Sequence, residues 1–139
     1  KIFSSLNESR IPRKIIPTDI DIPSERWKKE LSDEIKDKRR TAIIAFSDEA
    51  RAAYALSQKM KRKIPSEIGI FYIGSRKIFC DDGTSLAGFI YSNYELGEVA
   101  AKMILEKIEK PYCRIPSARL PFKKVAGMTA PKFFFDKFK

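Results

Sequence analysis

The pairs Ser47-Asp48 and Gly74-Ser75 stand where an apolar run gives way to a helical pattern or a loop. Hydroxyls and a carboxylate at such places can hydrogen-bond the hydroxyls of a small polar ligand. In open α/β sheets ligands bind beyond the carboxyl ends of the strands, where loops and helix N-termini converge. The plainer reading is that Ser47 caps its helix and that Gly74-Ser75 is a turn. Asp81-Asp82 and Asp19/Asp21 have the residue type for acid–base work or for a cation. Neither pair has a nucleophile, a base or further oxygen ligands at fixed spacing, and "CDDGTS" falls short of a calcium-loop pattern, so both read as loop and cap residues. The chain contains no histidine, and its two cysteines, Cys80 and Cys113, lie in different segments. A Cys–His nucleophile, a His general base and a His-containing zinc site are thereby excluded within it. No phosphate-cradling glycine loop or nucleophile elbow is present. The expectation is a protein that is not an enzyme, with no metal, no cofactor and two free thiols.

The elements that must position these residues alternate between strand and helix patterns, which points to α/β with a mostly parallel sheet. "KIFSSLNESRIP" reads as a helix already in progress, and the chain starts at Lys1 without methionine; the expectation is a piece of a longer protein. "KIIPTDI" reads as a short strand. Pro23-Ser24 then opens a helix with Trp27, Leu31 and Ile35 on one stripe, and Glu25–Lys29 and Glu34–Lys38 as outer pairs. "TAIIAF" is apolar on both faces, as expected of a central covered strand. After Ser47, the acidic Asp48 and Glu49 suit the start of a helix whose Ala53, Leu56 and Met60 mark one face. "IGIFYIG" and "LAGFIYS" are further strands, separated by the turn chemistry of "CDDGTS". Asn93 is read as the cap of a long helix over 93–109, lined by Leu96, Val99, Ala100 and Met103, with Ile104 and Ile108 alongside. Pro111 stops it, and "SARLPFKKVAGMTAP" closes with a strand.

Lys and Arg outnumber Asp and Glu by 28 to 18 in 139 residues, a net charge of +10. Such a balance can mark a phosphate-backbone interface. Here the basic residues are dispersed and interleaved with acids, no zinc-finger, basic-zipper or RNA-recognition pattern accompanies them, and solvated helix faces are the reading adopted. No apolar run approaches the length of a membrane span, so no membrane partner is expected.

The order of segments resembles a known family. "TAIIAFSDEARAAYALSQKMKRKIPSEIGIFYIG" is similar to the stretch T-A-[IV]-x-x-x-[ND]-D-x-x-A, helix, x-P-x-D-[IV]-x-[VI]-x-G-[FY]-D-D of lactose-repressor-like (LacI/GalR) regulators. "SLAGFIYSNYELGEVAAKMILEKIE" resembles the L-T-T-V-x-Q-P-x-x-x-L-G-x-x-A-x-x-L-L that follows, and "RLPFKKVAGMTAP" the closing L-P-x-x-L-V-x-R-x-S-T-A-P. The resemblance runs from about Phe3 to Pro131. It implies three-layer α/β/α architecture with a mostly parallel sheet, one lobe of a periplasmic-binding-protein-like type I fold. Residues 1–131 would be the C-terminal part of an effector-binding domain, with helix 93–109 packed on the other, missing lobe, and 132–139 an apolar-basic tail, either a dimer contact or a disordered end.

The resemblance also implies a function. A sugar-like small-molecule effector would bind between lobes and control an upstream DNA-binding domain, in a cytoplasmic homodimeric transcription regulator. Ser47 matches the Asn or Asp before the helix, with Asp48 beside it. The family's second Asp pair falls on Gly74-Ser75, and "AGFIYS" lacks the Thr-Thr and Gln-Pro. Arg76, which follows, is read either as a recruiter of an anionic ligand through bidentate hydrogen bonds or as a solvated loop residue. The expected effector contacts are therefore Ser47, Asp48, Gly74, Ser75 and Arg76. Two rivals remain open: a sugar-binding component of a transporter, and a free-standing basic α/β domain that binds nucleic acid itself.

Overall fold

The computed structural model describes residues 14–16, 24–37 and 39–131. The expected opening helix, the Asp19/Asp21 pair and the 132–139 tail lie outside the described residues. The chain divides into two units, Lys1–Glu34 and Ile35–Lys139. The elements are α1 (Ser24–Lys36), β1 (Thr41–Phe46), α2 (Ser47–Lys59), β2 (Ile68–Gly74), β3 (Ala87–Ile90), α3 (Asn93–Glu109) and β4 (Lys123–Val125). Residues 14–16, the described part of the expected "KIIPTDI" strand, have no regular structure.

In the first unit, Lys14 meets Glu34 at 2.8 Å, and Arg26 meets Glu30 one turn on at 3.5 Å. Glu34 therefore has a partner other than the Lys38 expected from sequence. Leu31 is buried, while Trp27 is half-buried with the Lys28 ammonium 5.8 Å from its ring centre, so Trp27 is not the full core residue expected.

The second unit is built on a four-stranded sheet in the order β1-β2-β3-β4. The first three strands are parallel and β4 is antiparallel to β3, giving the expected mostly parallel sheet. α2 packs on β1 and β2. β2 is the central strand: Ile68, Ile70 and Tyr72 are fully buried, and Phe71 on the other face joins Ala87 and Ala130. Each isoleucine so buried contributes about 1.5–3 kcal/mol. β1 corrects the sequence expectation. It lies at the edge of the described sheet, with Thr41, Ile43 and Ala45 half-buried and Ala42, Ile44 and Phe46 exposed. An all-apolar strand carries no polar face from which that alternation could be read.

The C-terminal segment locks the sheet. Thr129, fully buried, donates its hydroxyl proton to Ile70 O at 2.7 Å and accepts from Ala87 N at 2.9 Å. Its carbonyl accepts from Ile70 N at 2.8 Å. One threonine thus joins β2 to the start of β3, satisfying backbone groups that would otherwise be buried unpaired.

α3 spans the residues expected, but its cap differs. Ser92, not Asn93, is the N-cap, its hydroxyl accepting from Glu95 N at 3.1 Å. None of α3 is buried, and Leu96, Ile104, Leu105 and Ile108 are exposed. Among the described residues its apolar stripe has no cover.

Candidate functional site

Because β1, β2 and β3 are parallel, their carboxyl ends open on one rim: Ser47-Asp48 after β1, Ser75-Arg76 after β2, and Tyr91 to Asn93 after β3. The antiparallel β4 starts there too, since Lys123 pairs with Ile90 and Ile90 with Gly74. Residues paired across a sheet point to the same face, so Gly74, Ile90 and Lys123 form a row at its end.

Ser47 is the first helical residue of α2 rather than its cap. The N-cap is Phe46, and no side chain caps the helix. The Ser47 hydroxyl instead lies over Gly74, where a Cβ would come within 2.5 Å of its Oγ. Ser47 and Gly74 are therefore brought together, and no side chain fits at 74 while the serine holds this position. The Tyr72 ring flanks the same glycine at 3.4 Å and presses harder on Gly88, where a Cβ would lie 2.5 Å from Tyr72 Cδ1. The Tyr72 hydroxyl is buried and makes no well-formed hydrogen bond among the described residues, with the Ile78 backbone nearby. Burial pushes its pKa up, offset in part by the backbone of Ile78.

Ser75 is exposed and lines a groove of about 370 Å³ with Tyr91, Ser92, Asn93, Glu95 and Lys123. Tyr91 is held edge-on by Phe122, ring centres 6.0 Å apart at 84°. Arg76 is exposed and has no ion pair among the described residues. Asp48 turns elsewhere. It lines a second groove, about 430 Å³, between α2 and the 79–85 turn, with Arg51, Tyr54, Gln58 and Asp81. The five expected contacts therefore fall into three places on or beside one rim.

The second groove is internally satisfied. Arg51 donates to Asp81 Oδ1 at 3.1 Å. Tyr54 gives its single proton to Asp82 Oδ2 at 2.7 Å and accepts from Gln58 Nε2 at 2.8 Å, with Thr84 Oγ1 at 2.9 Å completing the cluster. Asp82 also accepts from Thr84 N at 2.9 Å, closing the turn around Gly83, which has φ +80°. The Tyr54 hydrogen bond and the Thr84 amide hold the Asp82 carboxyl below its ordinary range. Asp81-Asp82 are loop residues, as read from sequence, with Asp81 in an ion pair and Asp82 in a turn rather than as helix caps. Cys80 and Cys113 are free thiols, and burial pushes the pKa of Cys80 up, away from the reactive thiolate. Among the described residues no cluster of three or more His, Cys, Asp or Glu side chains is placed to hold a metal.

The sequence reading missed Tyr91, Ser92 and Lys123. The third parallel strand end could have supplied the first two, by the argument applied to the other two ends. Lys123 is placed only by the β3–β4 register, which no local pattern encodes.

A mostly parallel sheet thus carries polar strand ends on one rim. Among solved structures the chain is similar to a LacI family transcriptional regulator from Enterococcus faecium with bound ribose, at 23% identity and a TM-score of 0.60. The likeness covers 92% of this chain and 48% of that one, so the chain spans about half of its neighbour's length. The chain therefore shares the α/β, periplasmic-binding-protein-like fold of that neighbour. No family model and no curated protein matches the chain.

Proposed function

We propose that this chain is the C-terminal lobe of the effector-sensing domain of a LacI-type transcriptional regulator, binding a sugar or sugar derivative. The observation that carries the reading is the shared fold with a ribose-bound LacI family regulator across 92% of the chain. The rim supports it. Ser47, Ser75 and Asn93 present hydroxyl and amide groups at the ends of three parallel strands, where small polar ligands are bound.

In this reading a second lobe forms the other wall of the cleft, and α3, whose apolar stripe is bare here, packs on that lobe. A ligand that binds the closed arrangement better than the open one shifts the population toward closure. The shift is passed to DNA-binding headpieces upstream, in a homodimer that works in the cytoplasm. The function proposed is regulatory and not enzymatic, and DNA is contacted through the upstream domain.

Sequencing the coding region upstream of Lys1 tests this. A helix-turn-helix or winged-helix pattern followed by another α/β lobe is expected, and operator release by the intact protein can then be measured against added ribose and related sugars. A signal peptide before that lobe would make the protein a transport receptor and overturn the regulatory half. A sequence-specific DNA footprint from these 139 residues alone would overturn the division of labour between domains.

A further inference from the structure

Independently of that reading, we infer that the groove between α2 and the 79–85 turn is a docking site for residues 132–139 of the same chain. The groove, about 430 Å³, has room for an aromatic side chain or two. Ala52 and Ala55, small residues one turn apart on α2, leave that room, with Tyr54 beside them. Its charge runs against that of the molecule. The lining holds three carboxylates, Asp48, Asp81 and Asp82, against one cation, Arg51, in a chain whose net charge is +10. Internal bonds leave part of that acidity unspent. Asp48 is exposed and has no ion pair among the described residues. Asp81 offers one oxygen to Arg51 while its side chain stays 99% exposed.

The sequence of residues 132–139, "KFFFDKFK", carries the complementary pattern: four phenylalanines, and Lys132, Lys137 and Lys139 against the single Asp136. A carboxylate only accepts and an ammonium only donates, so the two sets match in direction as well as in sign. The sheet delivers the segment to the groove. Met128 N donates to Ser85 O at 2.9 Å, and Ser85 belongs to the turn that forms one wall. In that turn Cys80 N donates to Thr84 O at 2.8 Å, and Thr84 Oγ1 lies 2.9 Å from the Tyr54 hydroxyl. The buried Thr129 then fixes where the chain leaves the sheet. Residue 132 follows three positions later, and eight extended residues span about 26 Å. That exceeds the length of the thirteen-residue α2, about 20 Å. A segment tethered this closely meets the groove at an effective concentration in the millimolar range, so even a weak match keeps it occupied. The stripe of α3 is less well placed, because α3 starts beyond the far end of β3 whereas Thr129 is bonded to its first residue.

The native thiols supply both probe and reference: Cys80 lines the groove, and Cys113 is exposed elsewhere. The test is the rate at which a maleimide labels each thiol in the full chain, read by mass spectrometry, with and without residues 132–139. The segment is expected to slow labelling of Cys80 by about threefold or more, as an occupancy of about two-thirds does, and to leave Cys113 unchanged. Lys137→Glu with Lys139→Glu, and Phe134→Ser with Phe135→Ser, should each release Cys80 as the deletion does, without altering any described element. Asp81→Lys should release it from the groove side. Added salt should weaken the protection, because exposed charges are screened over about 8–10 Å. Equal rates at Cys80 with and without the segment would overturn the proposal. Protection that survives both pairs of substitutions would overturn the charge and ring matching on which it rests. Protection that grows with protein concentration would overturn docking within one chain and assign the groove to the segment of a second copy. A segment that leaves Cys80 unprotected yet carries the chain onto anionic vesicles would overturn it in favour of a membrane surface.

Discussion

A phenol ring at position 72 needs space that neighbouring residues must give up. Gly74 and Gly88 give it: a Cβ on Gly88 would overlap the ring and the backbone of Tyr72. In the motif that β2 resembles, x-G-[FY]-D-D, the glycine falls on Tyr72 and the first carboxylate on Gly74. With the Ser47 hydroxyl where it is, position 74 has no room for a carboxylate. The absence of carboxylates at Gly74-Ser75 was legible in the sequence; the crowding at Gly74 was not, because it involves a ring on β2 and a hydroxyl at the start of α2. Gly88→Ala is expected to cost about 1–3 kcal/mol in chemical denaturation, as overpacking does. Tyr72→Phe should be near neutral, within about 1 kcal/mol, since it removes a buried hydroxyl that has the Ile78 backbone nearby but no well-formed hydrogen bond. Asp82 adds a pH dependence. Its folded pKa is lowered below the ordinary 3.8, chiefly by the Tyr54 hydrogen bond. Its contribution is therefore present above that value and is lost as pH falls through the lower folded one. Asp82→Asn should flatten this part of the profile of unfolding midpoint against pH in the acid range, leaving the neutral range without it.

At the scale of elements, the join between α2 and β2 shows how one helix end positions a distant segment. α2 ends in a Schellman motif: Arg62 N donates to Ser57 O at 3.0 Å and Lys61 N to Gln58 O at 2.9 Å, with Lys61 in the left-handed region at φ 56°. Lys61→Gly should stabilise by about 1 kcal/mol, the cost of a side chain in that conformation. The motif aims Arg62 back at the end of α1, where its guanidinium donates to Ile35 O and Asp37 O at 2.5 Å and to Arg39 O at 3.1 Å, while Nε meets Glu67 at 3.1 Å. It supplies donors to carbonyls at and just past the end of α1. From sequence the run Lys61–Lys63 read as solvated charge. Composition cannot show that the middle residue is spent on carbonyls more than twenty positions earlier. Arg62→Ala is expected to cost about 1–3 kcal/mol by leaving those carbonyls without donors, with hydrogen-exchange protection lost first at the end of α1.

For the whole molecule, alternation of strand and helix patterns made the sheet legible, and the bounds of β2 and α3 match the residues expected. Edge and centre were not legible, because "TAIIAF" and "IGIFYIG" are both apolar throughout and the order of strands is set by pairing alone. Among the described residues the stripe of α3 is uncovered, and the resemblance expects that helix to pack on a lobe outside this chain. Ile104 and Ile108, 61% and 70% exposed, bury too little to support the fold. Ile104→Lys with Ile108→Lys should change stability by no more than about 0.5 kcal/mol. The same pair should reduce binding of a hydrophobic dye and any self-association measured by sedimentation. A large loss of stability would mean that α3 is already packed in solution.

Thr129 has a consequence for how the protein is made. It stands 42 residues after Ala87 and 59 after Ile70, the two backbone partners of its hydroxyl. Translation adds it after every strand of the described sheet. A nascent chain halted just short of it would hold β1 to β4 complete in sequence, yet leave the Ala87 amide waiting in a nearly finished core. Closing loops of that length early is unfavourable, so the closure that Thr129 makes comes after the pairing of β1, β2 and β3.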